Sequence, residues 1–227
     1  EFNLYTFSVS SPLGGQYTTF NVSTEAEFQN ALNTAASNGQ DDTINVQADM
    51  NITATLTYST DDGDGGHTLT INGNGYTLNG GNSVQIMNIN TDISNNGGDA
   101  NGDVAIDNLT FQNGNSSGDG GGLYINTGEA NVTLTGNTFS SNTADSDGGG
   151  ALMYTNSGTI DLTNNTFSSN TATNDGGGAF VYTSSGTSTL TNNTFSSNTA
   201  YYGGGAYVDT YSGTSTLTNN TFSSNTA

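Results

Sequence analysis

The chain has 227 residues, with no Lys, Arg or Cys and a formal net charge of −20. Nucleic acids and anionic membrane surfaces bind proteins through cationic side chains that replace counterions, so this composition excludes both kinds of partner. No run of apolar residues approaches the roughly 18 that a membrane helix needs, so membrane insertion is not expected.

The N-terminal part of the sequence predicts a lead-in followed by a short helix. Residues 1–22 are rich in Thr, Ser, Tyr and Phe and are interpreted as an extended segment without a place in the repeats that follow. Residues 23–39 predict a capping helix, because Thr24 and Glu27 have the spacing of a capping box and Gly39 can end the helix. Its apolar stripe consists of Phe28, Ala31, Leu32 and Ala35. Such a helix would cover the first open coil and block strand pairing at its edge.

Residues 40–227 predict a stack of repeated coils, regular from about residue 104. The phrase TNNTFSSNTA occurs three times, and its phenylalanine recurs at steps of 28, 28, 28 and 27 residues. The positions are Phe111, Phe139, Phe167, Phe195 and Phe222. Glycine triplets keep the same steps, beginning at Gly120, Gly148, Gly176 and Gly203. Two independent markers with one period indicate a structural repeat.

Each repeat contains three short runs of alternating apolar and polar residues, which is typical of β-strands. Stacked coils would place each residue about 4.8 Å from its equivalent, so Phe would stack on Phe in the core. The residues Asn142, Asn170, Asn198 and Asn225 would form an amide ladder. In an earlier coil, Tyr76 lies at the same distance from its strand as Phe111 does. The predicted fold class is all-β, a single-stranded parallel β-helix (β-solenoid) with about 28 residues per coil and an N-terminal capping helix.

Short motifs carry a resemblance to a known family. The phrases GGAL, GGAF and GGAY, beginning at Gly149, Gly177 and Gly204, alternate with FSSN. They resemble the GGA-I/L/V and FxxN repeats of the polymorphic outer membrane protein adhesins and, more broadly, right-handed parallel β-helix surface proteins. The resemblance implies a right-handed coil, secretion to the cell surface, and adhesion or self-association.

Acidic turns are candidate sites for Ca²⁺, which prefers oxygen ligands. Asp119, Asp147 and Asp175 each precede a glycine triplet, so stacking would place their carboxylates about 5 Å apart. A second candidate turn has oxygen ligands at alternate positions, Asp99, Asn101 and Asp103. The alternative is that these carboxylates are simply solvated. The single His67 has no partners that would build a zinc site and is interpreted as structural.

Aromatic residues are candidates for a surface contact. Tyr124, Phe180 and Tyr207 should point outward in one column, with Tyr154 and Tyr182 in a neighbouring column. Such a stack either stabilises the sheet across strands or binds sugar rings or a neighbouring chain.

These observations favour a non-enzymatic extracellular structural protein, the subunit of a filament or stalk with an adhesive role. Glycans, other cell-surface targets and further copies of the chain are the expected partners. Because the last coil reaches Ala227 without a cap, we expect either further coils or head-to-tail contact with the lead-in of another copy.

Two other functions remain open at this point. A carbohydrate-active hydrolase would use paired carboxylates such as Asp145 and Asp147, with Asp119 and Asp175 in the adjacent coils. An ice-binding solenoid would use flat columns of outward threonines, which Asp161 interrupts. These columns contain Thr133 and Thr135, Thr189 and Thr191, and Thr216 and Thr218.

Overall fold

The computed structural model describes residues 17–60, 63–92 and 102–227. Within these ranges the backbone forms a parallel β-solenoid of about 7 turns, with roughly 28 residues per turn. Every strand pairing between successive coils is parallel, and the strands form four sheets that run along the solenoid. This confirms the predicted fold class, while the right-handed coil stays a prediction from the resemblance.

The four sheets are named here by their number of strands in the described residues. The eight-stranded sheet contains Tyr17–Val22, Asp41–Val46, Leu69–Asn72, Val104–Asp107, Val132–Thr135, Thr159–Thr163, Thr187–Thr191 and Thr214–Thr218. The seven-stranded sheet contains Met50–Asn51, Thr77–Asn79, Thr110–Gln112, Thr138–Ser140, Thr166–Ser168, Thr194–Ser196 and Thr221–Ser223. The six-stranded sheet contains Leu56–Ser59, Met87–Asn90, Leu123–Thr127, Ala151–Thr155, Ala179–Thr183 and Ala206–Thr210. The three-stranded sheet contains Asn115–Ser116, Thr143–Ala144 and Thr171–Ala172.

Among the described residues one helix has full length, α1, which spans Glu25–Ala35. The hydroxyl of Thr24 accepts a hydrogen bond from the backbone N–H of Glu27, as the capping box predicts. The carboxylate of Glu27 accepts from the N–H of Ser23, one residue before the cap. The predicted apolar stripe is buried, namely Phe28, Ala31, Leu32 and Ala35. The segment Gly63–Gly66 is a tight turn rather than a helix, because Asp64 and Gly65 have positive φ.

Helix α1 covers the first strand of the six-stranded sheet. The side-chain amide of Gln29 donates to the carbonyl of Thr57 and accepts from its N–H, both at 2.8 Å. A neighbouring strand would make the same two bonds, so Gln29 takes the place of backbone at this edge. The carboxylate of Glu25 accepts from the N–H groups of Thr53 and Ala54 at 2.9 and 2.7 Å. These contacts agree with a helix that blocks edge pairing.

The first coil begins earlier than expected. The expectation that residues 1–22 lie outside the coil register is wrong for residues 17–22. Tyr17–Val22 pairs in parallel with Asp41–Val46, and Val22 is buried next to Val46. Exposure alternates along this strand, but its first exposed position is the aromatic Tyr17 and its first less exposed position is the polar Thr18, which explains why the sequence pattern did not reveal it.

The predicted equivalence of Tyr76 and Phe111 is also wrong. Leu78 pairs with Phe111 in the seven-stranded sheet, whereas Tyr76 is only partly buried. The corner between Leu69–Asn72 and Thr77–Asn79 is longer than the corner in the next coil. Counting residues from the preceding strand therefore identified the wrong side chain.

Stacked phenylalanines fill much of the core. Rings in successive coils lie nearly parallel, with centroids 4.7 to 4.9 Å apart. The fully buried members are Phe111, Phe139, Phe167 and Phe195. Burial of each such ring contributes about 1.5 to 3 kcal/mol to stability.

Two buried asparagine ladders run beside the phenylalanine stack. The predicted ladder continues through Asn142, Asn170, Asn198 and Asn225. A second ladder, which was not predicted, contains Asn137, Asn165, Asn193 and Asn220. In both ladders the amide oxygen of one coil accepts from the asparagine of the preceding coil.

The glycine triplets shape the corner before the six-stranded sheet. Only the first glycine of each triplet has positive φ, between 61 and 66°. The other two are required for a different reason, since their Cα atoms approach neighbouring backbone. A Cβ on Gly149 would collide with the backbone oxygens of Thr171 and Gly177, which lie in the same and in the next coil.

No described helix is long and apolar enough to cross a membrane.

Candidate functional site

The outer side of the six-stranded sheet carries the predicted aromatic columns. We call the set of Tyr124, Tyr154, Phe180, Tyr182 and Tyr207 the aromatic face. Phe180 pairs directly with Tyr207, and their rings stack at 5.4 Å with an interplanar angle of 7°. Tyr154 pairs with Tyr182, and these rings stack at 4.8 Å and 4°. The structure therefore brings four of the five predicted contact residues into two stacked pairs, with Tyr124 two coils from Phe180 in the same column.

The aromatic face is half-buried rather than fully exposed. Leu152 lies between Tyr124 and Phe180 in the outward column, yet it is only 6% exposed. The glycine corner of its own coil lies over it, because a Cβ on Gly148 would be 2.8 Å from the Cβ of Leu152. The glycine corner thus lies beside the outward column, and the stacked rings cover part of each other's faces.

Two tyrosines of the aromatic face have raised pKa values. Burial is the main cause of the raised pKa of Tyr124, followed by the charge of Asp119 and by Tyr154. For Tyr154 burial again raises the pKa most, followed by Tyr182 and Asp92. Both hydroxyls are therefore neutral hydrogen-bond donors at physiological pH. The hydroxyl of Tyr154 donates to Asn156 Oδ1 at 2.9 Å.

The three aspartates before the glycine triplets form a column, as predicted. The carboxylate of Asp119 accepts from the N–H of Asp147 at 3.2 Å, and that of Asp147 accepts from the N–H of Asp175 at 3.0 Å. Burial raises the pKa of Asp175, and the neighbouring charge of Asp147 adds to this effect. The carboxylates of Asp119 and Asp147 thus each have a backbone donor in the next coil, a contact that needs no metal ion.

The other candidate calcium ligands are only partly within the described residues. Asp99 and Asn101 lie outside them. Asp103 is exposed, and its carboxylate accepts from the N–H and the side-chain amide of Asn131. In residues 17–60, 63–92 and 102–227, no three His, Cys, Asp or Glu side chains come together to hold a metal ion. Calcium binding at these turns stays a prediction.

A shallow groove lies on the seven-stranded sheet near its N-terminal end. Its volume is about 270 Å³, and its lining residues are Asp49, Met50, Asn51, Thr77, Asn79 and Gln112. Asp49 supplies the one carboxylate of this lining and accepts from the N–H of Thr77 at 2.8 Å. Hydrolysis of a glycoside usually requires two carboxyl groups on either side of the bond. The groove is therefore better suited to binding than to that chemistry.

Outward threonines form columns on the eight-stranded sheet, as the ice-binding hypothesis requires. Thr163, Thr191 and Thr218 lie in register in one column. In the neighbouring column Asp161 separates Thr133 from Thr189. The register is confirmed, whereas a function for these columns stays a prediction.

A buried carboxylate in the second strand of the eight-stranded sheet was missed by the sequence analysis. Asp42 is 3% exposed, because the alternation of Asp41–Val46 turns it inward together with Ile44. Burial raises its pKa to about 6; the charges of Asp64 and Asp41 add to the rise, and a hydrogen bond from Asn38 and the proximity of His67 oppose it. His67 Nδ1 lies 3.4 Å from Asp41 Oδ1. The period-2 pattern of DDTINV was the signal that could have identified Asp42.

Comparison with known proteins agrees with this architecture. The profile of the pectate lyase-like adhesive domain matches residues 19–146. No curated protein and no solved structure matches the chain significantly. The narrower resemblance to the polymorphic outer membrane protein adhesins therefore stays a prediction. Because the profile covers more than half of the sequence, the chain belongs to the family of pectate lyase-like adhesive domains.

Proposed function

We propose that this chain is a non-enzymatic adhesive protein of the extracellular cell surface, and that the aromatic face binds its target. The family is named for adhesion, which supports a role in surface contact. The observation that carries the proposal is the pair of stacked aromatic columns, Phe180 with Tyr207 and Tyr154 with Tyr182, on the outer side of one sheet.

The chemistry of the aromatic face fits a glycan or an aromatic surface of another protein. Tyrosine and phenylalanine rings offer large apolar faces at a low cost in side-chain entropy, and tyrosine adds a hydroxyl donor. With no Lys or Arg in the chain, an anionic polymer would find no cationic group to pair with. We therefore favour a neutral glycan as the target.

The non-enzymatic part of the proposal rests on the positions of the carboxylates. The aspartates proposed for a hydrolase lie in solvated corners, where Asp145 is exposed and Asp147 already bonds to the backbone of Asp175. The groove on the seven-stranded sheet offers Asp49 alone. Neither arrangement resembles two carboxyl groups facing each other across a substrate.

Removal of rings from the aromatic face tests the adhesive function. Replacing Phe180 and Tyr207 together by Ser should reduce binding to the target surface by tenfold or more, because stacked rings supply most of the contact area. Binding would be measured on a panel of immobilised neutral glycans and on whole cells, with circular dichroism to check the fold.

A matched control removes two rings elsewhere. Tyr201 and Tyr202 are 69% and 57% exposed at a corner outside the aromatic face. Their replacement by Ser should leave binding unchanged. Equal loss of binding in the two double variants, or none in either, would contradict the role of the aromatic face.

Head-to-tail polymerisation into a filament is the second part of our proposal for this protein. At the N-terminal end, Gln29 and Glu25 already occupy the edge of the six-stranded sheet. A second copy would therefore pair along the eight-stranded sheet, beside Tyr17–Val22, and residues 1–16 would contribute to that contact. The supporting observation is that successive coils pair in parallel, so that an end coil of one copy could pair in the same way with an end coil of another copy.

A further inference from the structure

Exposed asparagines form a column at the corner between the eight-stranded and the seven-stranded sheet. Its members are Asn164, Asn192 and Asn219, and each has a positive φ between 55 and 58°. The strands before them pair in register, so the three asparagines follow one another along the solenoid. Asparagine adopts this backbone conformation more readily than most residues. Gly136 holds the equivalent corner one coil earlier with a φ of 66°, so the corner itself does not require asparagine.

Each asparagine of this column begins the sequence Asn-Asn-Thr, which fits the Asn-x-Ser/Thr acceptor motif of N-linked glycosylation. The middle asparagine belongs to the second asparagine ladder, which holds it inside the solenoid. The residues on either side of it then lie on the outside; Asn164 is exposed and Thr166 is partly exposed. The fold thus presents both groups that define the motif, the acceptor amide and the hydroxyl.

The acceptor amides of the column are free. Within the described residues, no hydrogen bond involves the side chain of Asn164, Asn192 or Asn219. The motif also occurs earlier in the chain, where the asparagine side chain is already hydrogen-bonded. These positions are Asn21, Asn51, Asn108, Asn115 and Asn131. At Asn131, for example, the amide donates to Asp103 Oδ1 at 3.1 Å. The column therefore differs from the earlier copies of the motif in leaving the reactive amide available.

We propose that Asn164, Asn192 and Asn219 are acceptors for N-linked glycosylation. In this reaction the side-chain nitrogen attacks the anomeric carbon of a sugar diphosphate donor. A bond forms between the nitrogen and this carbon, and the amide proton passes to a base of the transferase. The bond from the carbon to the diphosphate oxygen breaks, and the diphosphate leaves with the electron pair. This modification is independent of the proposed adhesive function, because the aromatic face lies on the six-stranded sheet.

The test uses the folded full chain with a soluble N-glycosyltransferase that recognises Asn-x-Ser/Thr and with a nucleotide diphosphate hexose as the donor. Peptide mass spectrometry measures the position and the extent of transfer. We expect hexose on the column, with incomplete occupancy, because adjacent coils lie about 4.8 Å apart and a sugar on one coil hinders access to the next. Transfer to Asn131 should be at least tenfold lower. Equal transfer to Asn131, or no transfer to the folded chain, would overturn the proposal.

Removal of the acceptors provides the first control. Replacing the three asparagines of the column by Gly should abolish transfer there and preserve the fold, because Gly136 already occupies the same corner. Should this variant fail to fold, replacement of Thr166, Thr194 and Thr221 by Val decides. That change removes only hydroxyl groups and should reduce transfer to the column at least tenfold. Unchanged transfer in the threonine variant would also contradict the proposal.

Addition of an acceptor provides the second control. Gly136→Asn, introduced into the triple glycine variant, completes the motif with Asn137 and Thr138. The nearest atom to its new Cβ would be Asn108 Oδ1 at 2.8 Å, which is the flexible end of an exposed side chain. We expect transfer of hexose to position 136. A folded variant that receives none would contradict the role of this corner.

Discussion

Single asparagine side chains hold successive coils together inside the solenoid. Asn170 Oδ1 accepts from the backbone N–H and the side-chain amide of Asn142, both at 3.0 Å. Its own amide donates to the carbonyl of Phe139 and to Asn198 Oδ1, also at 3.0 Å. Every polar atom of this buried side chain is thus paired, which is the condition for a buried polar network to stabilise a fold.

Removing one asparagine from this ladder should therefore lower the free energy of unfolding substantially. Asn170→Ala removes the acceptor of the Asn142 backbone N–H, and it takes one hydrogen-bond partner from the Asn142 side-chain amide, the Phe139 carbonyl and Asn198 Oδ1. We expect the free energy of unfolding to fall by about 2 to 4 kcal/mol, measured by chemical denaturation. Asn174→Ala is the matched control, because Asn174 is exposed and makes one long side-chain contact at 3.5 Å. A loss at Asn174 as large as that at Asn170 would contradict this account.

A second prediction at this scale concerns the pH dependence of stability. Asp42 has a pKa of about 6 in the folded chain, above the 3.8 of an unperturbed aspartate. The folded state therefore binds this proton more tightly than the unfolded state does, and stability rises as pH falls through about 6. Between pH 7.5 and pH 5 the gain should be about 1 kcal/mol.

The variant Asp42→Asn should be more stable than wild type at pH 7.5 and should lack this part of the pH dependence. Asp145→Asn, at an exposed corner, should retain it. Denaturation curves at both pH values check the prediction. A wild type that loses stability on going from pH 7.5 to pH 5 would show that Asp42 is not the dominant group.

At the scale of elements, the glycine corners show how closely the coils approach. A methyl group on Gly149 would meet backbone oxygens of Thr171 and Gly177, and backbone cannot move aside as a flexible side chain can. A methyl group on Gly118 would meet no atom within 4 Å, and its φ is not in the left-handed region. Alanine substitutions at these two glycines can therefore distinguish the effect of close backbone approach from the effect of losing the flexibility of glycine.

We expect Gly149→Ala to lower the free energy of unfolding by about 2 kcal/mol or more, as overpacking does elsewhere. Gly118→Ala should change it by less than about 0.5 kcal/mol. Melting temperatures of the two variants provide the measurement. Similar values for both would mean that the corners have room that the structure does not indicate.

At the scale of the whole molecule, the sequence was sufficient for the architecture because the repeat is nearly exact after residue 104. Phe and Gly markers recur in register, and the structure pairs Phe139 with Phe167 as the spacing predicts. Earlier coils were harder, since an insertion in one corner moved Leu78 into the place expected for Tyr76. The second asparagine ladder had a signal in the repeated phrase, but its burial depends on how the corner turns inward.

The same difference between the regular and the earlier coils applies to the candidate sites. The aromatic columns could be predicted because strand alternation and a fixed period determine outward neighbours. The burial of Asp42 was missed, because its strand Asp41–Val46 lies in the early coils, before the nearly exact repeat begins.

The polymer proposal leads to a prediction about the N-terminal segment. Deleting residues 1–16 should leave a folded chain, because Tyr17–Val22 and the rest of the first coil remain. It should strongly reduce filament formation, because the proposed contact loses the segment that contributes to it. Sedimentation and electron microscopy would compare the deletion with the full chain. Filaments formed equally well by the deletion, or a full chain that stays monomeric, would contradict head-to-tail contact through this segment.

The parallel stacking of coils also determines how the protein would respond to mechanical load. Each coil bonds only to its two neighbours, so a pull along the axis would detach coils one at a time from an end. A released coil of roughly 28 residues lengthens the chain by about 90 to 100 Å. Successive releases of equal length would dissipate energy in uniform steps. An adhesive tether built in this way yields gradually under tension while its remaining coils stay folded.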